Sequence, residues 1–116
     1  MSVDSRVAES LSIVSGPPAA EVTVVLAGEI DRDNCRAVRA AVGAALADRL
    51  VEFVCLDMGE VTFLDSAGIR ELLLARRDAV ANGGDLAIGR AHRHVREVLE
   101  VTGLLEEFRL SRPAPS

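Results

Sequence analysis

Val61-Thr62-Phe63-Leu64-Asp65-Ser66-Ala67-Gly68 is the stretch whose reading decides the fold. Its first half is apolar and partly β-branched, as at the end of a strand. Its second half is small and polar, and from Ile69 onward apolar residues recur three and four apart. A strand therefore gives way to a helix within two residues, with Ser66 opening the helix. Just upstream, Phe53-Val54-Cys55-Leu56 reads as a buried strand closed by Asp57, Met58 and Gly59, which makes Val61 to Leu64 a short extension. Downstream, the helix should stop near Asn82-Gly83-Gly84, since two glycines end a helical pattern.

The same alternation continues on both sides. Val22-Thr23-Val24-Val25-Leu26 is a β-branched strand leading to Gly28-Glu29-Ile30-Asp31. Asp31 to Asn34 supplies capping residue types ahead of a helix carrying Cys35, Val38, Val42 and Leu46 on one side. Leu11 to Val14 precedes the turn Ser15-Gly16-Pro17-Pro18 and is close enough to pair antiparallel with the Val22 strand. Beyond the central helix come a strand at Leu86-Ala87-Ile88 and a helix from His92 to Thr102. That helix places Val95, Val98 and Leu99 on one side, with Gly103 as its C-terminal cap. Phe108, Arg109 and Leu110 add a short last segment. The expectation is an α/β fold with a mixed sheet of four or five strands, an N-terminal hairpin followed by parallel strands, and three or four helices. The domain should span 11–110, between a flexible N-terminus over 1–10 and a flexible tail over 111–116, with no internal repeat or linker.

Composition removes several functions. The 116 residues carry a net charge of −5, 49% hydrophobic and 3% aromatic residues. All 13 basic residues are arginine, and there is no lysine, Trp or Tyr. A Walker phosphate loop, a Schiff-base enzyme and a pyridoxal-phosphate enzyme each need a lysine. Nucleic acid calls for a basic stripe and stacking aromatics, neither of which is present. No apolar run of about 18 residues exists to span a membrane, and Met1 to Ser12 lacks the apolar core of a secretory signal. Cys35 and Cys55 stand apart without a C-x-x-C pair, so the chain reads as a reduced, cytoplasmic domain.

Chemistry concentrates at the strand–helix junction. Ser66 lies at or beside a helix N-terminus, where free N–H groups and the helix dipole favour negative charge. It reads either as an N-cap or as a serine that accepts a phosphoryl group. Asp65 adjoins it, and Asp31 ends the Val22 strand; if the two strand ends are neighbours, two carboxylates flank one hydroxyl. They could orient it or help hold Mg²⁺ when a nucleotide-bound kinase arrives. Along the helix, Ile69, Leu72, Leu73, Ala79 and Val80 fall on the core side, while Arg70, Leu74, Arg77 and Ala81 share the other. Arg76 falls within the core stripe and must find a partner or reach water. His92 and His94 are two apart and point different ways on a helix, so no metal site is expected. Both cysteines read as small core residues.

Gly28-Glu29-Ile30-Asp31, Val54 to Met58, Val61 to Gly68, Gly83-Gly84-Asp85-Leu86 and Thr102-Gly103-Leu104 follow one familiar order. Over roughly residues 11–110 the chain resembles the anti-sigma factor antagonists, small stand-alone members of the STAS domain family. The resemblance implies a switch protein, not an enzyme, and no cofactor. Its partners would be an anti-sigma factor that is also a serine kinase, and a serine phosphatase, with no nucleic acid or membrane involved. The unmodified form would bind the kinase and release a sigma factor, and phosphorylation at Ser66 would switch binding off. Asp31, Asp65 and Gly68 would be the phosphosite's neighbours, and Arg70, Leu74 and Arg77 would meet the partner. Relatives usually carry small residues near 70 and 74, so the larger Arg70 and Leu74 require a complementary partner or a different docking. They also often continue into another helix where this chain has a Pro/Ser tail.

Three rivals are weaker. A receiver domain would use Asp57 but needs a lysine that the chain lacks. A STAS domain that is never phosphorylated, acting as a scaffold or as a subunit of a lipid transporter, would keep the same fold. A small enzyme needs a base paired with a nucleophile, and no serine or cysteine has an evident histidine partner.

Overall fold

The hairpin comes first. In the computed structural model, which describes residues 3–8 and 10–109, β2 (Leu11–Ser15) turns back through the Gly-Pro-Pro segment into β3 (Glu21–Ile30). The two pair antiparallel, Leu11 opposite Gly28 and Ser15 opposite Val24. From β3 the chain alternates: α1 (Arg36–Leu46), β4 (Phe53–Leu64), α2 (Ser66–Ala81), β5 (Asp85–Ala91), α3 (Arg93–Val101) and α4 (Leu105–Arg109). With β1 (Val3–Ala8) at one edge, the sheet runs in the order β1-β2-β3-β4-β5. The first two pairings are antiparallel, and β3–β4 and β4–β5 are parallel. Five strands and four helices are the upper ends of the expected ranges.

Burial follows the expected periods. β3 buries Val22, Val24 and Leu26, while Glu21 and Thr23 are exposed and Val25 is half-buried, the alternation of a strand with one face in the core. Central β4 buries Val54, Cys55 and Leu56 in succession. On α1 the buried residues are Val38, Val42 and Leu46, with Cys35 just before the helix. Val95 and Leu99 of α3 and Phe108 of α4 complete the core, each leaving at most 1% of its surface exposed. Full burial of one such side chain is worth about 1.5–3 kcal/mol, so packing outweighs local propensity in the short helices.

The molecule departs from the sequence-based expectation in four places. The flexible segment expected over 1–10 contains β1, paired from Val3 opposite Ser15 to Ala8 opposite Leu11. Backbone pairing along the outer edge of β2 needs no apolar period in the added strand, so composition does not announce it. The expected tail over 111–116, and Leu110 of the last segment, lie outside the described residues. Second, Asp57-Met58-Gly59 does not close a strand: β4 is continuous, and the mismatch is absorbed by register shifts against both β3 and β5. The Gly59 N–H donates to Asp57 Oδ1 at 3.0 Å, a tight local bend inside the strand. Third, α2 buries Gly68, Leu72, Ala75 and Ala79, whereas Val80, expected in the core, is 52% exposed. Ile69 and Leu73 are half-buried against the core's side. Fourth, His92 is the N-cap of α3: its Nδ1 accepts from the His94 N–H at 3.2 Å, and the two rings stack 5.5 Å apart.

Candidate functional site

β3 and β4 end side by side. Ile30 is paired with Leu64, so the residues that follow, Asp31 and Asp65, leave the sheet together at the carboxyl ends of two parallel strands. Loops at that end of a parallel sheet are the usual place for function in such folds. The Asp65 N–H donates to the Ile30 carbonyl at 3.3 Å, closing the pair.

Each carboxylate is held by backbone amides. Asp65 is the N-cap of α2, with extended backbone; its Oδ1 accepts from Gly68 N at 2.9 Å and its Oδ2 from Arg32 N at 3.1 Å. One side chain thus satisfies an orphan donor of the helix and ties the β3–α1 loop to it. Asp31 Oδ1 accepts from the N–H groups of Asp33 and Asn34, at 2.9 and 3.2 Å. Asn34 is the buried polar residue of this corner. Its Oδ1 accepts from the Asp31 N–H at 2.9 Å, and its amide donates to the Glu29 carbonyl at 2.9 Å and to Ser10 Oγ at 3.3 Å.

Ser66 is therefore not the cap, which is the alternative that competed with phosphoacceptance. It is the first residue of α2, exposed, and among the described residues nothing hydrogen-bonds its hydroxyl. With the Gly68 N–H taken by the Asp65 side chain and the Ile69 N–H by the Asp65 carbonyl, the amides of Ser66 and Ala67 remain as the open donors of the first turn. Gly68 is required by close approach: a Cβ there would lie 2.6 Å from Leu64 Cδ1 and 2.9 Å from Ile30 Cγ2. Gly28 of the Gly-Glu-Ile-Asp segment has φ 111°, and a Cβ would fall on the Ser10 carbonyl.

Arg70, Leu74 and Arg77 continue from Ser66 along α2. At about 100° per residue all four lie within about 80° of one another, on the side away from Leu72, Ala75 and Ala79. Arg70 and Arg77 are exposed and Leu74 is half-buried. Asp31, Asp65, Ser66 and Gly68 are thus gathered at one corner, and Arg70, Leu74 and Arg77 form a track leading from it. On its α1 side α2 is fastened by Arg39, which grips Asp78 with two bonds, at 2.7 and 3.1 Å. That guanidinium holds the Asp78 carboxyl below the usual carboxylate range. Burial, then the charges of Glu71 and Asp65, push the Cys35 thiol up.

The sequence did not disclose three features of this region. Arg32 enters through its backbone, which no side-chain pattern reveals. Phe63, 48% exposed and two residues before Asp65 in the strand that leads to the site, leaves an apolar ring open to solvent; it shares the strand parity of buried Val61, so alternation alone does not reveal its exposure. Arg76 reaches Asp85 at 3.1 Å and Glu107 at 3.2 Å, which accounts for a cation beside the core stripe. Among the described residues no three His, Cys, Asp or Glu are grouped to hold a metal, and no helix is long and apolar enough to cross a membrane.

Residues 16–110 match the family described as Mlab, STAS domain. A Bordetella bronchiseptica protein, provisionally named the anti-sigma factor antagonist BtrV, is 34% identical over 83 residues, 72% of this chain and 71% of that one. The crystal structure of an anti-sigma factor antagonist from Mycobacterium paratuberculosis superposes with a TM-score of 0.73 at 25% identity, covering 86% of this chain and 84% of the other. The anti-sigma factor antagonist SpoIIAA in its unphosphorylated form shares the fold, with a TM-score of 0.68, 23% identity and 83% of each chain covered. A junction built on Asp65-Ser66-Ala67-Gly68, a mixed sheet in this order and a family match over most of the sequence agree: the chain belongs to the STAS domain family and is similar to the anti-sigma factor antagonists within it.

Proposed function

We propose that this STAS domain acts as an anti-sigma factor antagonist, a regulatory binding protein whose partner is an anti-sigma factor with serine kinase activity. The unmodified form docks through the track from Ser66 to Arg77 and so frees a sigma factor in the cytoplasm. Phosphorylation of Ser66 ends that complex, and a serine phosphatase restores it. The observation that carries this reading is the Ser66 hydroxyl, exposed at the first position of α2 with the capping role already filled by Asp65.

In the transfer, a bond forms between Ser66 Oγ and the γ-phosphorus of ATP as the bond from that phosphorus to ADP breaks, and the hydroxyl proton passes to a base of the kinase. Mg²⁺ accompanies the nucleotide. The product carries about −1.5 to −2 charges at neutral pH. The helix N-terminus and the open amides of Ser66 and Ala67 favour that charge, while Asp65 opposes it. Set against a desolvating interface, the same charge is costly to bury.

Incubation with ATP–Mg²⁺ and the anti-sigma serine kinases of its own cell, followed by intact-mass measurement, tests the proposal. The expected product carries one added phosphoryl group and is absent from Ser66→Ala. No product, or one that persists in Ser66→Ala, contradicts it and leaves a STAS scaffold or a lipid-transporter subunit as the better reading.

A further inference from the structure

Two exposed arginines near Ser66, Arg32 and Arg70, have no ion-pair partner among the described residues, and of the two Arg70 is the one on Ser66's own helix. Arg39 is bonded to Asp78, Arg76 to Asp85 and Glu107, Arg90 to Asp57 and Arg93 to Glu97. Among the described residues no carboxylate pairs with Arg70. It stands four residues after Ser66 on one helix face, a spacing that puts the two Cβ atoms about 5–6 Å apart. Side chains on a helix lean toward its N-terminus, so the stem of Arg70 runs back over the turn that carries Ser66. Arg77, the other open cation of the track, lies about 16 Å from Ser66 along α2 at 1.5 Å per residue, and its chain leans toward Leu73 and Leu74, not toward Ser66.

We propose that Arg70 is the responding element of the switch: a phosphoryl dianion on Ser66 draws the Arg70 guanidinium back over the first turn of α2 and takes it out of the docking track. The inference rests on Ser66 being the phosphoacceptor. It adds that modification acts twice, placing a dianion at the head of the track and removing the cation one turn along it. Arginine suits this role because its planar fork meets phosphate oxygens with two parallel hydrogen bonds. The other charged groups around the hydroxyl are Asp31 and Asp65, which repel the dianion, and Arg32, which the Asp65 carboxylate holds nearby through its backbone N–H. Because repulsion and attraction coexist, the decisive quantity is the change when Arg70 alone is removed.

The test uses full-length protein with phosphoserine installed at position 66 during synthesis, so its result does not depend on any kinase. Phosphorus NMR follows the second ionisation of that phosphoserine, ordinarily near pH 6, in the parent and in Arg70→Gln and Arg77→Gln. The expected result is a midpoint raised by on the order of 0.5 pH unit in Arg70→Gln, from the loss of one exposed charge pair, and no comparable rise in Arg77→Gln. An Arg70→Gln midpoint that stays put or falls overturns the inference. So does an equal rise in both variants, which would reflect net charge alone. A kinase that never modifies Ser66 would defeat the proposed function while leaving this titration to be read on its own terms.

Discussion

Asp65 does two jobs with one carboxylate. It caps α2 through the Gly68 N–H and holds the β3–α1 loop through the Arg32 N–H. Loss of an Asp cap costs about 0.5–2 kcal/mol, and the second bond belongs to the same side chain. Asp65→Ala should therefore lower the thermal midpoint by about 4–8 °C for each kcal/mol lost, while Asp65→Asn, which keeps a capping oxygen, should recover most of it. An unchanged midpoint in Asp65→Ala would show that the cap is not holding this corner. The neighbouring residue shows how far one residue's reading extends from sequence. In Asp65-Ser66 both residues are good caps, so composition could place the helix start but not decide which side chain fills it. Once Asp65 takes the Gly68 N–H, Ser66 is left with an exposed hydroxyl. For Arg76 the sequence gives only the problem of a cation beside the core, because its partners lie 9 and 31 residues away and only the fold brings them near.

Those two partners make Arg76 a clamp between elements. It links α2 to Asp85 at the start of β5 and to Glu107 of α4, a helix of only five residues. Such a short helix has little stability of its own. It is held by Phe108, which is fully buried, and by this ion pair. Arg76→Ala should leave the sheet intact and quicken amide hydrogen exchange in α4, measured over residues 105–109. Exchange there no faster than in the parent would mean that Phe108 alone seats the helix. At this scale the sequence is most legible where a signal is sustained: β3 and the buried side of α1 follow from apolar spacing, and the extent of α2 from its polar start and the Gly83-Gly84 stop. It fails at β4, where Asp57 to Gly59 carries turn chemistry yet sits as an irregularity inside a strand paired on both sides. It fails again at β1, which is recruited by the edge of β2 and has no strong pattern of its own.

Across the whole molecule, parallel pairing of β3 with β4 turns two distant sequence segments into one corner. Ile30 beside Leu64 brings Asp31 and Arg32 to Asp65 and Ser66. Gly68 then lets α2 settle onto the ends of both strands. From that corner the exposed side of α2 presents Arg70 and Arg77, with Leu74 half-buried between them. This surface is cationic on a chain of net charge −5, so a partner matched to it would carry carboxylates. A phosphoryl group at the head of the track changes the sign of the field that such a partner meets. The most direct measurement is the affinity of the purified anti-sigma kinase for this protein before and after phosphorylation, by titration calorimetry, with Ser66→Ala treated in parallel. A loss on the order of a thousandfold, about 4 kcal/mol, is expected in the parent alone. Equal affinity for the two forms would contradict it.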